Sequence, residues 1–182
     1  MLKKVLLAVA SLLAIAVVTI LIMASTVPST FRYERQAVIG APEDVVYAQL
    51  EDFHRWGAWS PWEKLDPAMK KTFEGPDEGV GATYAWTGNS DVGQGRMTIT
   101  DAAPPKALTI KLDFIEPFPA TNTTKFELSP ADGGTRVNWS MTGDNSFMGK
   151  IFCVFIDMDE MIGKDFEKGL ASLKQVSEQA AK

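Results

Sequence analysis

The sequence predicts an α+β domain: a curved antiparallel sheet of about seven strands around a long C-terminal helix, with a separate apolar helix in front. Three observations carry this. Segments of alternating polarity, divided by turn residues, recur between residues 70 and 142. The proline-free stretch FMGKIFCVFIDMDEMIGKDFEKGLASLKQVSEQAAK sets Ile162, Phe166, Leu170, Leu173 and Val176 at helical spacing. Residues 5–24, VLLAVASLLAIAVVTILIMA, contain no charge at all. Alternation marks half-buried strands, and a 3.6-residue period marks an amphipathic helix. A sheet with one apolar face needs a cover, and the terminal helix carries the matching stripe.

The elements follow in order. The N-terminal apolar run would form a helix of about 30 Å, one hydrocarbon core. Residues 1–24 therefore read as a retained transmembrane anchor. A cleavable signal peptide is the alternative, but its apolar stretch is normally shorter and its exit clearer than MAST. Lys3 and Lys4 favour a cytoplasmic N-terminus, which puts the following domain on the outer, periplasmic or extracellular face, although Arg32 and Arg35 weaken the asymmetry. Residues 25–30 read as a tether, 31–178 as one domain and 179–182 as a tail.

Phe31, Tyr33, Arg35, Ala37 and Ile39 share one side of a first strand. GAPEDVVYAQLEDF then changes period. Pro42 suits a first helical turn, with Glu43 and Asp44 near its positive end, and Val46, Leu50 and Phe53 share a face. FHRWGAWSPWEKLDP follows, broken by Gly57 and Pro61. It reads as a rigid aromatic corner that fastens the small helices to the sheet. Next come KKTFEG, ATYAWTGN, RMTITDA, ALTIKLDF, TNTTKFELS and TRVNWSMTG. GNSDVGQG makes a hairpin connection in which Asn89 and Gly93 or Gly95 can take positive φ. PADGG makes another. Val137, Trp139 and Met141 lie on one side of the last strand, with Arg136, Asn138, Ser140 and Thr142 on the other. Residues 147–158 are apolar all round, either a short helix over an opening or a buried segment.

The charge excludes some functions. Beyond Lys3 and Lys4 the chain holds 16 basic and 23 acidic residues, a net charge of about −7, which disfavours nucleic acid. The single Cys153 sits in the apolar run IFCVFI and reads as a small packed residue. One histidine and one cysteine a hundred residues apart make no zinc signature. Asp157, Asp159 and Glu160 lack the spacing of a calcium loop and read as a solvated helix face. GNSDVGQGR lacks the features of a phosphate loop. His54 is the natural general base, yet it has no nucleophile beside it and reads as structural. No catalytic set, metal site or cofactor emerges. Trp86, Met97, Phe114, Trp139, Phe152, Met158 and Met161 either fill a core or line a cavity.

Four stretches carry a resemblance: VYAQLEDFHRWGAWSPWEKLDP, YAWTGNSDVGQGRMTI, GTRVNWSMTG and MIGKDFEKGLASLK. In this order they resemble the helix-grip superfamily of START-related and birch-pollen-allergen-like proteins, in particular its bacterial polyketide cyclase/dehydrase and lipid transport (SRPBCC) members. The resemblance implies an elongated apolar cavity between sheet and helix. It raises Trp59, Tyr84, Trp86, Met97, Phe114, Trp139, Phe152, Met158, Ile162 and Phe166 as cavity residues. Arg96 and Asn138 are the polar candidates beside them. It brings no catalytic residues. The expected function is a membrane-anchored domain that binds a hydrophobic small molecule or lipid, with the bilayer as its other partner. A cyclase-like enzyme on such ligands, and a structural or protein-binding domain with a solid interior, are the alternatives.

Overall fold

The computed structural model describes residues 2–182. Helix α1 (Leu2–Thr26) precedes strand β1 (Thr30–Ile39). A one-turn helix α2 (Glu43–Ala48) and two 3-10 turns, Phe53–Ala58 and Pro61–Lys64, come next. Six strands follow: β2 (Lys70–Glu74), β3 (Thr83–Thr87), β4 (Gln94–Ala103), β5 (Ala107–Glu116), β6 (Ala120–Ala131) and β7 (Gly134–Asp144). Helices α3 (Phe147–Phe155) and α4 (Met158–Ala180) end the chain. The seven strands form one sheet in the order β1-β7-β6-β5-β4-β3-β2, all neighbours antiparallel. The chain thus meanders from β2 to β7, and β1 is added beside the last strand. Register shifts in β4 at Gln94/Gly95 and Ile99/Asp101 bend the sheet, as bulges do.

One face of this curved sheet grips α4. The helix runs along β1: Arg35 reaches Asp159 and Glu167, Lys174 Nζ donates to the Val38 carbonyl at 3.0 Å, and the Gly40 amide donates to Glu178 Oε1 at 2.8 Å. The hydrogen bond to Asp159, with that to Glu167, holds the Arg35 guanidinium above its ordinary pKa. Phe166, Leu170 and Leu173 are the buried stripe of α4. Each such side chain contributes about 1.5–3 kcal/mol by leaving water. The Phe166 ring lies on Trp139 of β7 at 4.2 Å between centroids and 6° between planes. A Cβ at Gly169 would stand 2.7 Å from the Trp139 ring and 3.1 Å from Pro61. The helix propensity that this glycine forfeits, about 1 kcal/mol, is offset by the close approach it permits.

The aromatic corner closes one end of the sheet. Trp56 Nε1 donates to the Leu50 carbonyl and Trp59 Nε1 to that of Gln49, both at 3.0 Å. Both indoles are buried, and Trp59 meets Phe126 and Trp139 edge to face. The small helix is therefore pinned by its own terminal carbonyls, which would otherwise lack partners. Pro42 is the residue before α2 rather than inside its first turn.

Some expected details shift. The segment 25–30 splits between the end of α1 and the start of β1, leaving residues 27–29 as the link. Asn145 fastens that link through the Pro28 and Ser29 carbonyls. In the β3–β4 connection only Gly93 has positive φ, +61°. Asn89 instead accepts the Asp91 and Val92 amides on its side-chain oxygen, and Gly95 lies within β4. Asp132-Gly133 turns between β6 and β7, with φ +87° at Gly133. Asp157 caps α4, while Asp159 and Glu160 pair with Arg35 and Lys164.

His54 is half exposed, stacks on Phe73 at 4.1 Å and bonds Asp52 through Nδ1 at 3.0 Å. Replacing His54 by alanine should change stability by no more than about 0.5 kcal/mol, as at an exposed site, whereas Trp59→Ala should cost about 3–5 kcal/mol or prevent folding. Urea midpoints of the two variants decide it. Equal midpoints would contradict the packing described.

Candidate functional site

The two ends of the space between sheet and helix differ. Toward the aromatic corner the interior is sealed: Val46, Leu50, Phe126, Val137 and Leu173 are fully buried. Toward the start of β1 and of α4, inward-facing apolar side chains stay partly exposed. Trp62, Trp86, Met97, Phe114, Met158 and Ile162 are only partly buried and pack against the core, as does Phe31. Tyr33, Leu112 and Met141 are buried and belong to the same core. We read these side chains, which come from β1, β3, β4, β5, α4 and the second 3-10 turn, as the border of an apolar groove between sheet and helix.

Pleating decides which side chains reach it. Tyr84 and Trp86 in β3, Met97 and Ile99 in β4, and Leu112 and Phe114 in β5 share the inner face. Asp66 holds the open-end loop in place, accepting the Asn89 amide at 2.7 Å and the Ala68 amide at 2.9 Å.

The groove contains little polar chemistry. Asn122 of β6 is buried and faces inward; its Nδ2 has only the Met141 sulfur nearby, at 3.8 Å. The buried Trp139 Nε1 has no partner among the described residues. The benzo edge of Trp139 abuts Gly169, so its N–H lies on the other side of the ring. An amide amid apolar walls can orient a ligand oxygen.

The expected cavity residues fall into three groups. Trp86, Met97, Phe114, Met158 and Ile162 are partly buried against the core. Trp59, Trp139 and Phe166 are packed together as core, and Tyr84 is buried among Phe53, Phe73 and Trp86. Phe152, on α3, is exposed and touches Phe118 at 6.0 Å. The two polar candidates are corrected. Arg96 alternates with the inward Gly95 and Met97, so it points outward, 3.4 Å from Glu74. Asn138 alternates with the inward Val137 and Trp139 and lies on the outer face beside Glu127. Asn122 and Trp62 were missed. The parity of Asn122 with Thr124, Phe126 and Leu128 was the available signal.

A second missed feature braces the groove. The Glu63 carboxylate, 6% exposed, accepts the Tyr84 hydroxyl at 2.6 Å and pairs with Lys71. This ties the second 3-10 turn to β2 and β3. Burial, reinforced by the Glu63 charge, pushes the Tyr84 phenol far above its usual range. Burial also pushes Tyr47 up, to about 12. Asp52 is raised by burial, but bonds from His54 and Arg55 outweigh that and hold it below the usual value. Two shallow depressions are lined, one by groups such as Phe31, Arg32, Thr121 and Thr123, the other by groups such as Lys70, Trp86, Arg96, Asp113 and Ile115.

The family model described as polyketide cyclase / dehydrase and lipid transport matches residues 30–178. Among solved structures, protein CV1439 from Chromobacterium violaceum is similar at 18% identity and a TM-score of 0.58, over 84% of this chain and 99% of that one. Mll3558 from Rhizobium loti is similar at 20% and 0.58, over 81% and 96%. The di-domain ARO/CYC StfQ from the steffimycin biosynthetic pathway is similar at 11% and 0.60, over 84% of this chain and 52% of that one. At these identities the likeness concerns the fold. No curated protein is significantly similar in sequence.

A phenol whose folded pKa exceeds its unfolded value of 10.0 stabilises fully below that value, and the contribution is lost as pH rises through the folded one. Wild-type protein should therefore lose more stability between about pH 8 and pH 11 than Tyr84→Phe does. Urea melts at both pH values measure this. Equal losses would contradict the Glu63–Tyr84 brace.

Proposed function

Because the chain belongs to the polyketide cyclase / dehydrase and lipid transport family, we propose that it is a membrane-anchored domain that binds a hydrophobic small molecule or lipid. The observation that supports this is that Trp86, Met97, Phe114, Met158 and Ile162, all apolar, stay only partly buried where they pack on the core. Partly exposed aromatic and thioether groups on a rigid frame are what an apolar ligand needs. Covering about 300 Å² of apolar surface would release roughly 7.5 kcal/mol before the costs of association. Methionines at three points of the lining, Met97, Met141 and Met158, give a surface that adapts to ligand shape. Asn122 adds a polar handle without a catalytic pair.

The anchor is α1, which spans 25 residues and is long and apolar enough to cross a membrane. Lys3 and Lys4 at its start favour an N-terminus in the cytoplasm, so the domain would stand on the outer face. A domain tied to the bilayer would draw its ligand from the lipid phase or deliver it there.

Two measurements test the proposal. Native mass spectrometry of the detergent-solubilised full-length protein should release an apolar ligand held one to one. Uptake of a hydrophobic fluorescent probe should be weakened about tenfold, equivalent to about 1.4 kcal/mol, by Ile162→Trp, which fills the groove. Thr123→Trp on the outer face should leave uptake unchanged. A bare protein that takes up no probe, or equal binding by both variants, would overturn the proposal.

A further inference from the structure

Around the mouth of the groove the surface is apolar. Phe118 of the β5–β6 connection and Phe147, Met148, Phe152, Phe155 and Ile156 of α3 and its end are each more than two-fifths exposed. The Phe118 and Phe152 rings are 6.0 Å apart, so the loop and the helix form one patch. Helix α3 carries no acidic residue and one base, Lys150. A short helix exposing large apolar groups to water is unfavourable unless something covers them.

The packing of α1 indicates what does. Residues 2–19 of α1 are exposed throughout. Cover begins only at Ile20 and continues along one stripe, through the buried Ala24 to Val27. Helix α3 packs on α1. The uncovered part of α1 measures about 27 Å at 1.5 Å per residue, close to the roughly 30 Å of a hydrocarbon core. If that part fills the core, α3 lies against the turns that emerge at the surface. The link of residues 27–29 spans at most about 10 Å, and Asn145 holds it to the end of the sheet. The domain has no slack with which to leave the membrane.

We infer that α3 and the Phe118 loop insert into the headgroup–acyl boundary of the bilayer crossed by α1, so that the groove opens onto the lipid phase. This rests on the membrane-anchored reading above and adds its geometry. Interfacial helices of this kind bury an apolar face about 5–10 Å deep. The occupant of the patch is lipid: the patch continues the apolar surface of α1, and α3 itself carries no acidic residue and offers anionic headgroups Lys150, with Asp157 and Glu116 flanking the patch.

The test uses the full-length protein in phosphatidylcholine nanodiscs with one quarter phosphatidylglycerol. Cys153→Ser removes the single native thiol, and nitroxides are placed in turn at Phe155→Cys, Phe118→Cys and, on the outer face, Thr123→Cys. At positions 155 and 118 the label should be more accessible to oxygen than to a water-soluble nickel chelate, with the reverse at 123. Chelate access at 155 and 118 equal to that at 123 would overturn the inference. Protection from both reagents would equally overturn it, by showing a protein partner on the patch. The pair Phe147→Glu and Phe155→Glu should lower probe uptake from nanodiscs about tenfold while leaving uptake in detergent unchanged. Loss in detergent as well would count against the groove reading rather than the docking.

Discussion

The Phe166 ring lying flat on Trp139 is the contact that seats α4 in the sheet. It lies midway along the helix, at the one place where Gly169 lets the helix backbone approach an indole closely. Leu170 and Leu173 beyond it can then be fully buried against a sheet end already filled by Trp56, Trp59 and Phe126. On the other side of the stack, Met158 and Ile162 overhang inner-face residues that they do not cover. The groove is thus the remainder of a packing decision taken at Trp139. Arg35 and the Gly40–Glu178 bond steady the helix along β1, but they are largely exposed and contribute direction more than energy.

The fold was legible because its two periods are clear. Alternation of Leu108, Ile110, Leu112 and Phe114, and of Val137, Trp139 and Met141, names the inner face without coordinates. The spacing of Phe166, Leu170 and Leu173 does the same for α4. The site was legible only in part. A buried tryptophan and a groove-lining one look alike in sequence, so Trp59 and Trp139 stood beside Trp86 although only the last borders open space. Arg96 and Asn138 were chosen for their chemistry, against a parity that the neighbouring Met97 and Trp139 already gave. Asn122 was overlooked because Thr121, Thr123 and Thr124 make that stretch polar on both sides. The brace of Glu63, Lys71 and Tyr84 joins residues from three elements, and no spacing rule brings them together. Helix α3, apolar all round, could not be assigned to interior or surface, since period has no meaning when both faces are greasy.

The two ends of the domain divide the work. The sealed end holds the fold, with tryptophan N–H groups spent on the carbonyls of α2 and its extension. The open end carries the soft side chains, the loop pinned by Asp66, and the helix that packs on α1. On the proposed reading, adaptable packing lies where the chain meets its anchor, and a ligand would enter without disturbing the seat of α4. Lipid binding and lipid docking would then be neighbouring roles of α1, α3 and the start of α4.

The most direct test is photolabelling of the full-length protein in a bilayer doped with a lipid that carries a diazirine near the end of its acyl chain. Mapped by peptide mass spectrometry, the label should appear on groove residues, Met97, Phe114, Met158 and Ile162, as well as on α1 and α3. Labelling confined to α1 and α3, with the groove peptides unmodified, would contradict the account.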